Sequence, residues 1–261
     1  MASGSIKLEM TKTGIAVVLT FVAGYVDAVG WLSLDHVFTA QMSGNTVQFA
    51  IRLVGGSGDA WLQGTSILAF FAGLVISGSI IEIGMRQHVR RILVAALAVE
   101  LPLLGFFSLA AGGLAHTGDP DWRVYELIAI VAFAMGTQNT SLRMAGILSV
   151  FTTHVTGAVS SLSEELIICG FVWLQPRRRR GTGAGFASGH LRGRHRKAAA
   201  NALRSAMLLA GFFGGALAGA ALFYPAGLPA VMFVPFALLI GVGIFDWVLP
   251  LTVFPSAAER E

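Results

Sequence analysis

Charge is scarce in this chain. Lysine, arginine, aspartate and glutamate make up 12% of its 261 residues, against 55% that are hydrophobic. A soluble domain carries about a quarter charged residues. So small a charged complement excludes an ordinary water-facing surface. Cysteine is almost absent too. Cys169 alone excludes an internal disulfide and a cysteine-based zinc site within one chain, and its place in an apolar run assigns it to packing. The patterns His-Glu-x-x-His, Gly-x-Ser-x-Gly and Cys-x-x-Cys are missing, so metalloprotease, serine-hydrolase and dithiol chemistry have no motif here.

What the chain has instead is long apolar runs, with a mean hydropathy of +0.72. About 20 apolar residues of helix cross a hydrocarbon core. Six segments reach that scale: Thr13–Leu34, Trp61–Ile83, Ile92–Leu114, Val124–Thr140, Leu203–Phe223 and Pro229–Leu249. The first follows a polar start with Lys7 and Lys12. It reads as a span rather than a cleaved signal peptide, because no small-x-small cleavage site ends a compact apolar core. Gly211, Gly215 and Gly219 lie four apart on one face of the fifth, a spacing that lets helices approach closely in lipid. The expected fold is an all-α membrane protein with a single integral domain over residues 13–249, a short tail at 1–12 and another at 250–261.

Two further segments are ambiguous. Phe38–Val54 is short and holds Gln41, Asn45, Gln48 and Arg52; Val150–Leu174 is apolar but holds His154, Glu164 and Glu165. Positive loops stay in the cytoplasm. Arg86, Arg90 and Arg91 follow the second span, and Arg177–Arg180 with Arg192, Arg194, Arg196 and Lys197 precede the fifth. If neither ambiguous segment crosses, both arginine-rich loops and both termini fall inside, and the loop with Asp119 and Asp121 falls outside. We therefore expect six spans plus two re-entrant or broken segments, in a bacterial inner membrane. The formal charge of +4 reflects this orientation and not nucleic-acid binding. The stretch GTGAGFASG, Gly181–Gly189, resembles a phosphate loop only superficially, since no strand precedes it. It reads as part of a flexible basic cytoplasmic linker, residues 175–202, suited to anionic lipid headgroups.

The chain also repeats itself. VFTAQMSG from Val37 and VFTTHVTG from Val150 share four of eight positions at an offset of 113 residues. Upstream, Gly24-Tyr25-Val26-Asp27 aligns with Gly136-Thr137-Gln138-Asn139. Each match ends a span and enters an ambiguous segment. With three spans per half, about 13–114 and 124–249, the repeats are inverted. Inverted repeats with interrupted helices place a binding site near the midplane between halves.

Asp27 lies well inside an apolar run, where an ionised carboxylate costs several kcal/mol unless paired or hydrated. It either serves function or bonds a neighbouring helix. Pseudo-symmetry could bring it near Arg143. Ser43, Gly44 and Asn45, mirrored by Thr156 and Gly157, could start helices at depth and aim free N–H groups inward. The alternative is a pair of tight structural turns. His154 aligns with Gln41 and could relay protons or bond a helix. Glu82 and Glu100 rank below Asp27.

The strings GYVDAVGWLSL, FTAQMSGNTV, GTQNTSLR and FTTHVTG, in that order, resemble the YoaK-like family of bacterial multi-pass membrane proteins, a domain of unknown function. The resemblance covers roughly Thr13 to Leu249. It implies an inner-membrane protein of about six spans and supplies no substrate. The positions matching its motifs are Gly24, Tyr25, Asp27, Ser43, Gly44, Asn45, Gln138, Asn139, Arg143, Thr153, His154, Thr156 and Gly157. Ser43 stands where threonine is more usual, which preserves the hydroxyl. The linker Pro176–Lys197 is longer than is typical.

Together these features point to a transporter or channel for a small polar or anionic solute. Asp27 or His154 would couple protons. Tyr25, Gln41, Asn45, Gln138, Asn139, Arg143, Thr153 and the Gly44 and Gly157 turns would line the site. No cofactor, metal or nucleic acid is expected, and a homo-oligomer is compatible with the sequence. The competing readings are an intramembrane enzyme acting on a lipid, with Ser43 beside His154, and a membrane scaffold whose motifs are packing only. We expect no enzyme.

Overall fold

The computed structural model describes residues 2–56, 59–87, 92–111, 122–144, 155–174 and 184–249. Eight helices account for nearly all of them: α1 Ala2–Ser33, α2 Met42–Gly55, α3 Trp61–Arg86, α4 Ile92–Ala111, α5 Trp122–Met144, α6 Val155–Leu174, α7 Ala184–Val231 and α8 Phe233–Val248. No strand occurs among the described residues. Among the described residues, four helical stretches are long and apolar enough to cross a membrane: Glu9–Ser33, Trp61–Gly84, Leu93–Ala110 and Arg196–Val231. Two of the six expected spans are weaker. α8 is apolar but only 16 residues long, and α5 carries Gln138 and Asn139 in its second half.

The boundaries shift where helix formers outlast the apolar pattern. α1 runs back to Ala2 through the polar start. α7 runs back to Ala184, so the later part of the expected flexible linker is helical. Its alanines and long basic side chains are strong helix formers. The arginines at 177–180 lie outside the described residues.

The chain divides into two compact units, one of Met1–Thr153 with Gly211–Glu261, the other His154–Ala210. In the second, Asn201 donates to Glu165 Oε1 at 2.9 Å, joining α7 to α6.

The first unit is organised by glycines. α1, α3, α5 and α7 each carry Phe-x-x-Gly: Phe21–Gly24, Phe70–Gly73, Phe133–Gly136 and Phe212–Gly215. A Cβ at Gly24 would strike the Phe212 carbonyl, and one at Gly215 the Phe21 carbonyl. The same reciprocal contact links Gly73 to Phe133 and Gly136 to Phe70. Only glycine lets two backbones lie this close, which in lipid is a main source of helix association. Gly211 and Gly219 extend the α1–α7 seam, meeting the Val17 carbonyl and the Tyr25 carbonyl. Both residue series ascend together, so α1 and α7 run parallel. Ser77 to the Thr137 carbonyl at 3.3 Å and Thr140 to the Leu74 carbonyl at 3.2 Å make α3 and α5 parallel as well. α4 and α8 are antiparallel, with Gly105 against Phe236 and Gly243 against Leu97.

α7 turns back on itself. Gly219 meets the Tyr25 backbone, while the Tyr25 hydroxyl donates to the Val231 carbonyl at 2.7 Å. Twelve residues of unbroken helix would separate those points by about 18 Å, farther than one tyrosine reaches. The reversal falls at Gly227, whose φ of 70° suits glycine, between Pro225 and Pro229. Outward faces are apolar, with Phe71, Leu109, Phe213, Leu217 and Phe233 exposed. Water does not favour such a surface; lipid does.

Candidate functional site

The polar interior has two centres. The first is the break between α1 and α2. α1 ends in a tight turn, with Asp35 and His36 at positive φ, a conformation that non-glycine residues adopt at a cost. The segment that follows is non-helical, yet Val37, Thr39 and Ala40 are buried. Buried backbone must find partners, and here side chains supply them. Asp27 Oδ1 accepts the Thr39 N–H at 2.8 Å, the Ala40 N–H at 2.7 Å and the Thr39 hydroxyl at 3.3 Å. Asn45 holds Phe38 at both ends: its Oδ1 accepts the Phe38 N–H at 2.9 Å, and its Nδ2 donates to the Phe38 carbonyl at 2.6 Å. Ser66 of α3 donates to the same carbonyl at 2.8 Å and accepts from Asn45 Nδ2 at 3.0 Å.

α2 then runs for 14 residues, about 21 Å at the usual rise, short of the ~30 Å core. Arg52, on its last turn, sits 3.6 Å from Asp35. The helix entry differs from the sequence expectation. Met42 N–H bonds the Ala40 carbonyl, while Gly44 and Asn45 N–H both bond the Gln41 carbonyl. With Thr39 and Ala40 N–H held by Asp27, the anion at this helix start is the protein's own carboxylate. Gln41 is half-buried and makes no side-chain cap; Ser43 is exposed and Gly44 half-buried beneath the Phe38 ring.

The second centre lies between α3, α4 and α5. Glu100 is wholly buried on α4, and its Oε1 accepts from Gln138 Nε2 at 2.9 Å. Its other oxygen, Oε2, is buried with no hydrogen bond among the described residues. Thr137, Gln138, Asn139 and Thr140 are all buried on α5. Thr137 and Thr140 turn their hydroxyls back to the Phe133 and Gly136 carbonyls. An apolar crevice of about 320 Å³ opens nearby, lined by Ile76, Ile80, Ala96, Val99, Phe133 and Thr137 among others.

Of the expected site residues, Asp27, Gln41, Ser43, Gly44 and Asn45 gather around the break, while Tyr25 turns to the Val231 carbonyl of α7; Gln138 meets Glu100, and Asn139 is buried next to it on α5. Arg143 belongs to α5, but its side chain is outside the described residues, as are Thr153 and His154. Thr156 and Gly157 open α6 in the second unit, exposed and half-buried respectively. Ser66 and Asp246, both buried, had no place in the sequence reading, and Glu100 had a low one. For the two acids the signal was present: an acidic residue in an apolar run. Ser66 gave none.

Residues 15–245 match the family described as Protein of unknown function (DUF1275). The chain belongs to this family. It is 31% identical over 150 residues to the UPF0700 transmembrane protein YoaK of Bacillus subtilis (strain 168), an alignment covering 57% of this chain and 64% of that relative. The YoaK-like resemblance is thereby shown, and with it the membrane character of the chain. No solved structure matches.

Proposed function

We propose that this protein is a transporter or channel for a small polar or anionic solute, with its site at the interface of two inverted repeats. The observation that carries the reading is the break after α1. A packing scaffold needs only continuous helices. This chain follows α1 with a buried non-helical segment and then spends Asp27, Asn45 and Ser66 on holding that segment in shape. Non-helical backbone at membrane depth belongs where protein buries it or a cavity solvates it, and interrupted helices accompany binding sites in transporters.

The helix pairing supports the repeat. α1 with GYVD corresponds to α5 with GTQN, and the Phe-x-x-Gly of α3 to that of α7. The first helix of each half then crosses the third helix of the other, through the same reciprocal glycine contact. A twofold relation between halves produces that exchange. α5 runs parallel to α3, so α1 and its counterpart α5 oppose each other if α1 and α3 are successive crossings. In this reading residues 13–249 form one integral domain of six spans, α2 and α6 are re-entrant, and both termini face the cytoplasm. Gln138 and Asn139 meet solute, Asp27 shapes the wall, and the arginine-rich segment touches anionic headgroups. Catalysis plays no part.

An untargeted comparison of solutes taken up by cells with and without the protein tests the proposal. One solute should accumulate or deplete, and the purified protein should move it across a liposome membrane. Identical profiles, with no flux in liposomes, would sink the transport reading.

A further inference from the structure

We propose that Glu100, held at one oxygen by Gln138 and left open at the other, is the proton-carrying group of this protein. The inference rests on the transport reading and deepens it, moving the proton from Asp27 or His154 to α4.

Two of the three buried acids among the described residues, Asp27 and Glu100, differ in what surrounds them. Asp27 is met by two backbone N–H groups and a hydroxyl, so its charge is solvated by fixed dipoles. Glu100 is met by one neutral amide, and Oε2 by nothing among the described residues. An ionised carboxylate so placed is poorly compensated, and a protonated one has an O–H in need of an acceptor. Either form is incomplete in this conformation. A group that alternates between protonated and ionised as its surroundings change has this character. Asp27, the structural counterpart, gathers three donors on Oδ1 alone.

The hydrogen-bond ladder around Glu100 also lacks a rung. Pro102 lies inside α4 and lacks an N–H, so the Ala98 carbonyl loses its ladder partner. The broken ladder is level with Glu100, where a small change in bend exposes or covers the carboxyl. Among the described side chains, the other titratable groups on the packed helices stand off. Asp246 of α8 lies one turn beyond Gly243, which meets Leu97; the antiparallel register places it roughly 9 Å along the axis from Glu100. On α3, Glu82 pairs with Arg86 at 2.9 Å near an exposed end. On α5, Tyr125 and Glu126 are at the far end, and Arg143 follows Gln138 by five residues. The proton arrives when water reaches Oε2, rides as the neutral acid, and leaves to water on the other side, restoring the carboxylate.

The full-length protein in liposomes tests this without any solute. Infrared spectra over a neutral-to-alkaline series should show a protonated-carboxyl C=O band that disappears as pH rises. The band should be absent in Glu100→Gln and present in Asp27→Asn. A membrane-permeant carbodiimide, which adds to protonated carboxyls, should label the wild-type peptide carrying Glu100, a readout independent of any variant's folding. A band unchanged in Glu100→Gln, or wild-type protein unlabelled at Glu100, would overturn the proposal. Titration at Glu100 without flux of any solute would leave the proton site standing and remove transport. Flux that survives in Glu100→Gln with its pH dependence intact would do the reverse.

Discussion

Asp27 and Glu100 are both carboxyls buried in apolar helices, and they are buried for opposite purposes. Asp27 gathers three donors on Oδ1, all from one short segment, residues 39 and 40. It behaves as a staple, converting a buried stretch of open backbone into a defined turn. Glu100 is undersupplied, with a single neutral donor. Burial alone therefore does not mark the residue that moves a proton. The number of donors separates the two, because each donor that stabilises the carboxylate makes it harder to protonate.

Six substitutions sharpen or break this contrast. Asp27→Ala removes the acceptor for two buried N–H groups and should cost about 3 kcal/mol or more. Thermal unfolding of detergent-purified protein measures it, and an unchanged midpoint would deny Asp27 its stapling role. Asn45→Ala should come next, at about 2–3 kcal/mol, since the Phe38 N–H loses its partner and its carbonyl keeps only Ser66. The same unfolding assay serves, with Ser66→Ala as the milder companion. Gly215→Ala drives a methyl into the Phe21 carbonyl and should cost about 1–3 kcal/mol. Gly73→Ala should match it if the α1–α7 and α3–α5 seams are equivalent; a large difference between the two would count against the repeat. Glu100→Gln should be the smallest, within about 1 kcal/mol, because a neutral amide of the same shape is no harder to bury. A collapse of stability in that variant would make Glu100 a structural group like Asp27.

Much of this was legible in the residues. Apolar length locates α1, α3, α4, α5, α7 and α8, although α1 and α7 run well past the apolar runs that mark them, and Phe38–Val54 is too short and too polar for a simple span. Asp27 was singled out by its setting. Its role was not, because its donors are backbone N–H groups, which carry no sequence signature. The same holds for the anion-binding helix start inferred at Ser43–Gly44: residue types suggested free N–H groups, and only coordinates reveal that Asp27 and the Gln41 carbonyl take them. Glu100 was ranked low because a mid-helix acid near a helix end looks ordinary until its second oxygen is found empty. The four Phe-x-x-Gly elements were visible all along. Only Gly211, Gly215 and Gly219 drew notice, since a single Phe-x-x-Gly is common and acquires meaning when two meet face to face.

Membrane residence, all-helical character and the presence of buried polar groups follow from composition and run length, because lipid imposes them on each segment separately. Which helix lies against which, and which carboxyl is satisfied, are relations between residues far apart in the chain. Close glycine–carbonyl packing and directional hydrogen bonds decide those relations at distances of about 3 Å. Sequence spacing does not encode such proximity, and the folded bundle does.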